Sequence, residues 1–186
     1  GIGKVSAAVG ASELIRRFSP DCIVSTGVAG GIDACLKVTD VVASQRLVYH
    51  DVWCGDGNEY GQVQGFPASY EGCSSLLKHA LSLNEAGMES RIHSGLVCTG
   101  DQFITNRTEL DTIKQRFPDG LAVDMESAAI AQICYLYNVP FLSFRIISDT
   151  PGVEDHASQY ADFWGTMAER SFLTIWTFLS TLPSNL

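Results

Sequence analysis

The 186-residue sequence predicts a layered α/β fold, a sheet covered on both faces by helices. Three observations carry that expectation. Helical and extended hydrophobic patterns alternate from end to end. No internal repeat, linker or low-complexity tract breaks the alternation, and the length suits one domain over residues 1–186. Several extended runs also end in glycine or polar residues, as strands do where an α/β sheet meets its ligand.

Taken in order, Lys4 to Phe18 sets Val5, Ala8, Val9, Leu14, Ile15 and Phe18 near one helical stripe, and Pro20 ends it. Asp21 to Ser25 is a short β-branched run leading into Thr26-Gly27-Val28-Ala29-Gly30-Gly31, and Asp40 to Tyr49 is extended again. Asp51 to Gly72, rich in glycine, aromatic and polar residues, reads as a long excursion of the functional kind. Ser74 to Gly87 predicts a helix closed by glycine, and Arg91 to Thr99 a strand. Thr108 with Asp111 three residues on predicts a capped helix running to Phe117. A very short strand, Leu121 to Val123, precedes a helix from Asp124 to Tyr137 with an alanine-rich face. Val139 to Ile147 reads as a buried strand. Gln159 to Leu182 completes the chain as one amphipathic helix on Phe163, Met167, Phe172, Ile175, Trp176 and Leu179.

Composition narrows the function. With 46% hydrophobic and 18% charged residues the chain has enough apolar surface to fold, which excludes disorder. A net charge of −9, from 12 basic and 21 acidic residues, argues against nucleic-acid and anionic-membrane partners, both of which need a positive face. The longest apolar stretch, Phe172 to Leu182, falls short of the ~20 residues of a membrane span. Six scattered cysteines without a CxxC pair read as reduced, mostly buried thiols of a cytoplasmic protein. His50, His79, His93 and His156 have no metal-ligand spacing, and neither a GxSxG elbow nor a cysteine beside a base is present.

The chemistry gathers at four strand ends. The glycines of Thr26 to Gly31 allow close backbone approach to a ligand or, equally, form a tight turn. Thr99-Gly100-Asp101-Gln102-Phe103-Ile104 offers an aromatic that stacks on a flat ligand or packs in the core. In Val123-Asp124-Met125-Glu126, Asp124 alone suffices to cap the following helix, which leaves Glu126 over. Arg145-Ile146-Ile147-Ser148-Asp149 places charge in a core strand, where an Arg–Glu or Arg–Asp pair is the structural alternative to a site. Two carboxylates and an arginine reaching one sheet edge form an acid–base constellation.

Together these segments, with Ser25 before the first and Ala122 to Ala131 around the third, resemble the 5′-methylthioadenosine/S-adenosylhomocysteine nucleosidases of the nucleoside phosphorylase superfamily. The resemblance covers essentially the whole chain, in order. It implies a three-layer αβα fold with a mixed central sheet, N-terminally truncated, in a cytoplasmic homodimer of methionine salvage. It implies hydrolysis of an adenine nucleoside with water as nucleophile and no cofactor. Asp149, after Ser148, would protonate adenine N7; Glu126 would bind the ribose hydroxyls and steady an oxocarbenium-like sugar, with Met125 packed on that ring. Phe103 would stack on adenine and the Ile104 backbone read its edge. Ala29 and Gly30 would offer backbone contacts, and Arg145 would help hold the water.

Superfamily phosphorylases place an arginine where this chain has Ser25, which favours water over phosphate. Family members also carry an N-terminal strand segment with a general-base glutamate, expected upstream of Gly1, and many have serine where Val28 stands. The alternatives are an impaired adenine-nucleoside-binding module and a phosphorylase of the same superfamily.

Overall fold

A computed structural model describes residues 1–86, 90–151 and 156–183. Its elements follow in the order α1 (Lys4–Phe18), β1 (Ile23–Gly31), β2 (Val41–Tyr49), β3 (Tyr70–Glu71), α2 (Ser74–Ser82), β4 (Ile92–Thr99), α3 (Arg107–Arg116), β5 (Gly120–Asp124), α4 (Ser127–Tyr137), β6 (Phe141–Asp149), α5 (His156–Asp162) and α6 (Ala168–Ser180). The sheet is mixed, in the order β3-β2-β4-β5-β1-β6. β1 runs parallel to β6 and antiparallel to β5, while β4 runs parallel to both β2 and β5. β6 also returns to pair antiparallel with β2 through Val41↔Ile146, Val42↔Arg145 and Ala43↔Phe144, so the sheet closes on itself.

Helices cover both faces. On one, α1 and α4 place Ile15, Ala128, Ala129, Ala131 and Cys134 against Ile23, Leu47, Val97, Ala122 and Ile147. On the other, Leu76 and Ala80 of α2 and Ile175 and Phe178 of α6 meet Val41, Ile92, Leu142 and Phe144. Leu110 and Ile113 of α3 close a third cluster with Ile32, Val48, Leu96 and Val123. β6 is buried at every position, which is what a strand flanked by partners and covered on both faces requires.

Several local expectations change. Thr26 to Gly31 is strand and not turn or loop: β1 runs through Gly31 and pairs with β6 from Ile23 to Gly30. α3 is capped not by Thr108 but by Asn106, whose side chain accepts from the Glu109 N–H at 3.0 Å. The helix ahead of Gly87 ends as a 3-10 turn, Leu83–Ala86, and Gly87 itself lies outside the described residues. The last helix is broken by a π-turn, Phe163–Met167, and its core face is Phe163, Ile175 and Phe178, leaving Phe172, Trp176 and Leu179 exposed. α1 buries Ala7, Ala11 and Ile15 and exposes Val5, Val9 and Phe18, because its approach to α4 favours small side chains. Of the six free cysteines only Cys98 and Cys134 are buried. Among the described residues no helix is long and apolar enough to cross a membrane.

Candidate active site

A cleft of about 630 Å³ opens where β1, β5 and β6 end beside the β4–α3 connection and the start of α1. Ala29, Gly30, Phe103, Ile104, Met125, Glu126, Arg145, Ser148 and Asp149, every site residue expected from sequence, line it.

Arg145 forms the floor. Only 3% exposed, it donates from Nε to Asp124 Oδ2 at 2.8 Å and Ser127 Oγ at 3.0 Å, and from Nη2 to Ser25 Oγ at 3.2 Å. A charge so buried needs this compensation, and the Arg–Asp pair lies in the lining of the cleft. Asp124 is saturated: it accepts from Thr99 Oγ1 at 2.6 Å, from the Ser127 N–H at 3.1 Å and from the Ser127 hydroxyl. The guanidinium reaches its place by passing Gly27, where a Cβ would lie 2.1 Å from Nη1. That requirement, and not a turn, explains the first glycine of the run.

With Arg145 and Asp124 neutralising each other, Glu126 brings surplus negative charge to the cleft. Its side chain is 22% exposed, with Oε2 3.9 Å from Arg145 Nη2. A fixed carboxylate at such a point stabilises positive charge that develops on a bound group. Across the cleft Asp149 is 3% exposed at the end of β6. Ser148 Oγ donates to Asp149 Oδ1 at 2.5 Å and lies 3.4 Å from the Ala29 carbonyl. The β1–β6 register shifts between Ala29 and Gly30, and Gly30 lies against Pro151, where a Cβ would come within 2.8 Å.

Phe103 stands at the rim, 54% exposed, meeting Tyr160 of α5 edge to face at 5.4 Å; Ile104 beside it is buried. Phe103 is therefore not a core residue and presents apolar surface to the cleft. Met125 is half-buried next to Glu126. Among the described residues no group of three or more His, Cys, Asp or Glu could hold a metal ion.

Sequence reasoning missed the start of α1. The Gly3 N–H donates to Glu126 Oε1 at 2.9 Å and the Lys4 N–H to Asp101 Oδ1 at 2.8 Å. One signal pointed there: α1 opens on Gly3 without a capping side chain, so its first N–H groups needed acceptors from elsewhere.

A buried carboxylate, a second, partly exposed carboxylate and an aromatic rim thus converge at the strand ends of a mixed α/β sheet. The family model described as "Phosphorylase superfamily" matches residues 1–180. The 5′-methylthioadenosine/S-adenosylhomocysteine nucleosidase of Chromohalobacter salexigens is 45% identical over 159 residues, 85% of this chain and 68% of the relative. That of a Geobacillus species is 39% identical over 183 residues, 98% of this chain and 78% of the relative. The crystal structure of the Neisseria meningitidis enzyme in complex with methylthio-immucillin-A superposes with a TM-score of 0.91 at 35% identity, over 98% of this chain and 79% of that one. The Colwellia psychrerythraea enzyme in complex with adenine gives 0.92 at 36%, over 100% and 77%. The chain belongs to the 5′-methylthioadenosine/S-adenosylhomocysteine nucleosidases, N-glycosyl hydrolases within the phosphorylase superfamily.

Proposed function

We propose that this chain hydrolyses the N-glycosidic bond of 5′-methylthioadenosine and S-adenosylhomocysteine, releasing adenine and the 5-thioribose, as one catalytic domain of a homodimer in cytoplasmic methionine salvage. The observation that carries the reading is the convergence of Asp149, Glu126 and Arg145 in one cleft, with Phe103 at its rim.

Adenine enters between Phe103 and the Ala29–Gly30 backbone, and the Ile104 backbone reads its edge. Asp149 gives its proton to N7 as the bond between the base and C1′ breaks, so the electron pair leaves with a neutral purine. The Ser148 hydroxyl donates to Oδ1 and thereby fixes the carboxyl group. Positive charge develops on the sugar beside Glu126, which also accepts from the ribose hydroxyls, while Met125 packs on the ring. Arg145 Nη2 and Ser25 Oγ, 3.2 Å apart, hold the water that bonds to C1′, and the proton that this water loses goes to the general-base glutamate that the resemblance implies upstream of Gly1. Water is favoured over phosphate because the Arg145 guanidinium is committed to Asp124, and Ser25 supplies a hydroxyl where a phosphorylase has a further arginine. The homodimer is supported by apolar side chains left in solvent, Ile2, Val5, Val9 and Trp53 among them. A monomer mass by light scattering would overturn that part.

The test is adenine release from methylthioadenosine in phosphate-free buffer, then with phosphate added. Release without phosphate is expected, and Asp149→Asn abolishes it. Full activity in that variant would remove Asp149 as the acid, and strict phosphate dependence would make the chain a phosphorylase.

A further inference from the structure

We infer that Lys4 is a positioning residue for this reaction: one ammonium locks the base-reading segment and the ribose-reading carboxylate into a single geometry. The inference rests on the nucleosidase reading and deepens it.

Lys4 Nζ donates to both oxygens of Asp51, at 2.9 and 2.8 Å, and lies 3.8 Å from Asp101 Oδ2. Asp51 Oδ2 accepts in turn from the Asp101 N–H at 2.9 Å. The ammonium also sits 5.4 Å from the Tyr49 ring centroid, a cation–π distance that fixes its side from below. Three chain segments therefore meet on one cation. Asp51 follows the end of β2. Asp101 lies in the segment that goes on to Phe103 and Ile104. Lys4 is the first residue of α1, whose Gly3 N–H holds Glu126 Oε1 at 2.9 Å.

The geometry links the two halves of substrate recognition. Asp101 Oδ1 caps α1 through the Lys4 N–H, so the helix end and the base-reading segment move together. Gly3 at φ 87 allows the chain to turn into both contacts, and a Cβ there would lie 3.1 Å from Asp101 Oδ1. Without the ammonium, Asp51 and Asp101 become neighbouring carboxylates with no cation between them. Like-charge repulsion then separates the segment bearing Phe103 from the helix end that aims Glu126.

The experiment measures kcat and KM for methylthioadenosine, inhibition by adenine, and the thermal midpoint, in the wild type, Lys4→Met, Lys4→Arg and Asp51→Asn. Lys4→Met lowers kcat/KM about tenfold or more, mainly in kcat, because Glu126 is needed most at the transition state. It also weakens inhibition by adenine, through the base-reading segment. Lys4→Arg restores most of the loss, and Asp51→Asn, which keeps an acceptor for the Asp101 N–H, shows a smaller loss of the same kind. A purely structural role would lower the midpoint and leave kcat and KM per folded molecule unchanged, and that result overturns the inference. Should Lys4→Met fail to fold, the kcat–KM split in Asp51→Asn decides. A wild type that neither cleaves methylthioadenosine nor is bound by adenine fails at an earlier point and overturns the nucleosidase reading, this inference with it.

Discussion

Replacing Gly27 with alanine tests the architecture of the floor. In a strand interior the change would ordinarily stabilise by about 0.4–1 kcal/mol, since it reduces the freedom of the unfolded chain. Here the added Cβ meets Arg145 Nη1 at 2.1 Å and Cζ at 3.3 Å, so the guanidinium must retreat until Nη1 stands at an ordinary 3.4 Å. An exposed arginine would swing away at little cost. Arg145 is tied at Nε to Asp124 and Ser127 and at Nη2 to Ser25, and it is 97% enclosed in protein, being only 3% exposed. A retreat of that size breaks at least one buried charge-assisted hydrogen bond, a loss of about 2 kcal/mol or more, which outweighs the backbone gain. With the backbone gain subtracted, the thermal midpoint should fall by about 2–6 °C for a chain of this size. Adenine release should fall about a hundredfold, because Nη2 no longer faces Ser25 and Glu126. Both are read from one preparation, by calorimetric melting and by a coupled adenine assay. A Gly27→Ala protein that melts higher than wild type and keeps its kcat/KM would show that the guanidinium does not pass this glycine.

Two further outcomes follow from buried polar groups. Thr99→Val keeps the shape but removes the hydroxyl that donates to Asp124 and accepts from the Ala128 N–H at 2.9 Å; urea unfolding should show a loss of about 2 kcal/mol, and an unchanged midpoint would discredit the network. His50 is buried with Nε2 unpartnered, and burial holds its pKa below the ordinary 6.5, against a smaller opposing pull from Asp51. The unfolded chain then binds the proton more tightly, so stability should decline as pH drops below 6.5 toward the folded value, and His50→Gln should lessen that slope; an identical slope in the variant would remove His50 as its source.

The site was legible in the sequence where chemistry sits next to chemistry along the chain. Glycines, an acidic pair and an Arg-x-x-Ser-Asp run at successive strand ends need only the α/β rule to bring them together, and they do line one cleft. The Arg145–Asp124 pair stood in the sequence as an alternative to a site; the fold sets the pair itself in the floor of the cleft. What stayed hidden depends on contacts distant in sequence. Nothing near Lys4 indicates Asp51 or Asp101, and nothing near Gly27 indicates an arginine side chain crossing it. The helix stripes misled for a related reason. Large apolar residues suggested the buried faces of α1 and α6, yet close helix packing favoured Ala7 and Ala11 over Val5 and Val9. On α6 the π-turn shifted the angular phase, so that Phe178 faces the core while Phe172 and Trp176 face solvent.

The pairing of β6 with both β1 and β2 also bears on how the molecule comes to be active. The contacts that complete the cleft join residues far apart in the chain: Arg145 to Ser25 across 120 positions and Gly3 to Glu126 across 123. Closing such long loops is slow. A partly folded species that holds α2, β4 and α3 alone contains none of Asp149, Arg145 or Glu126. The contacts that shape the cleft are therefore among the least local that folding has to make.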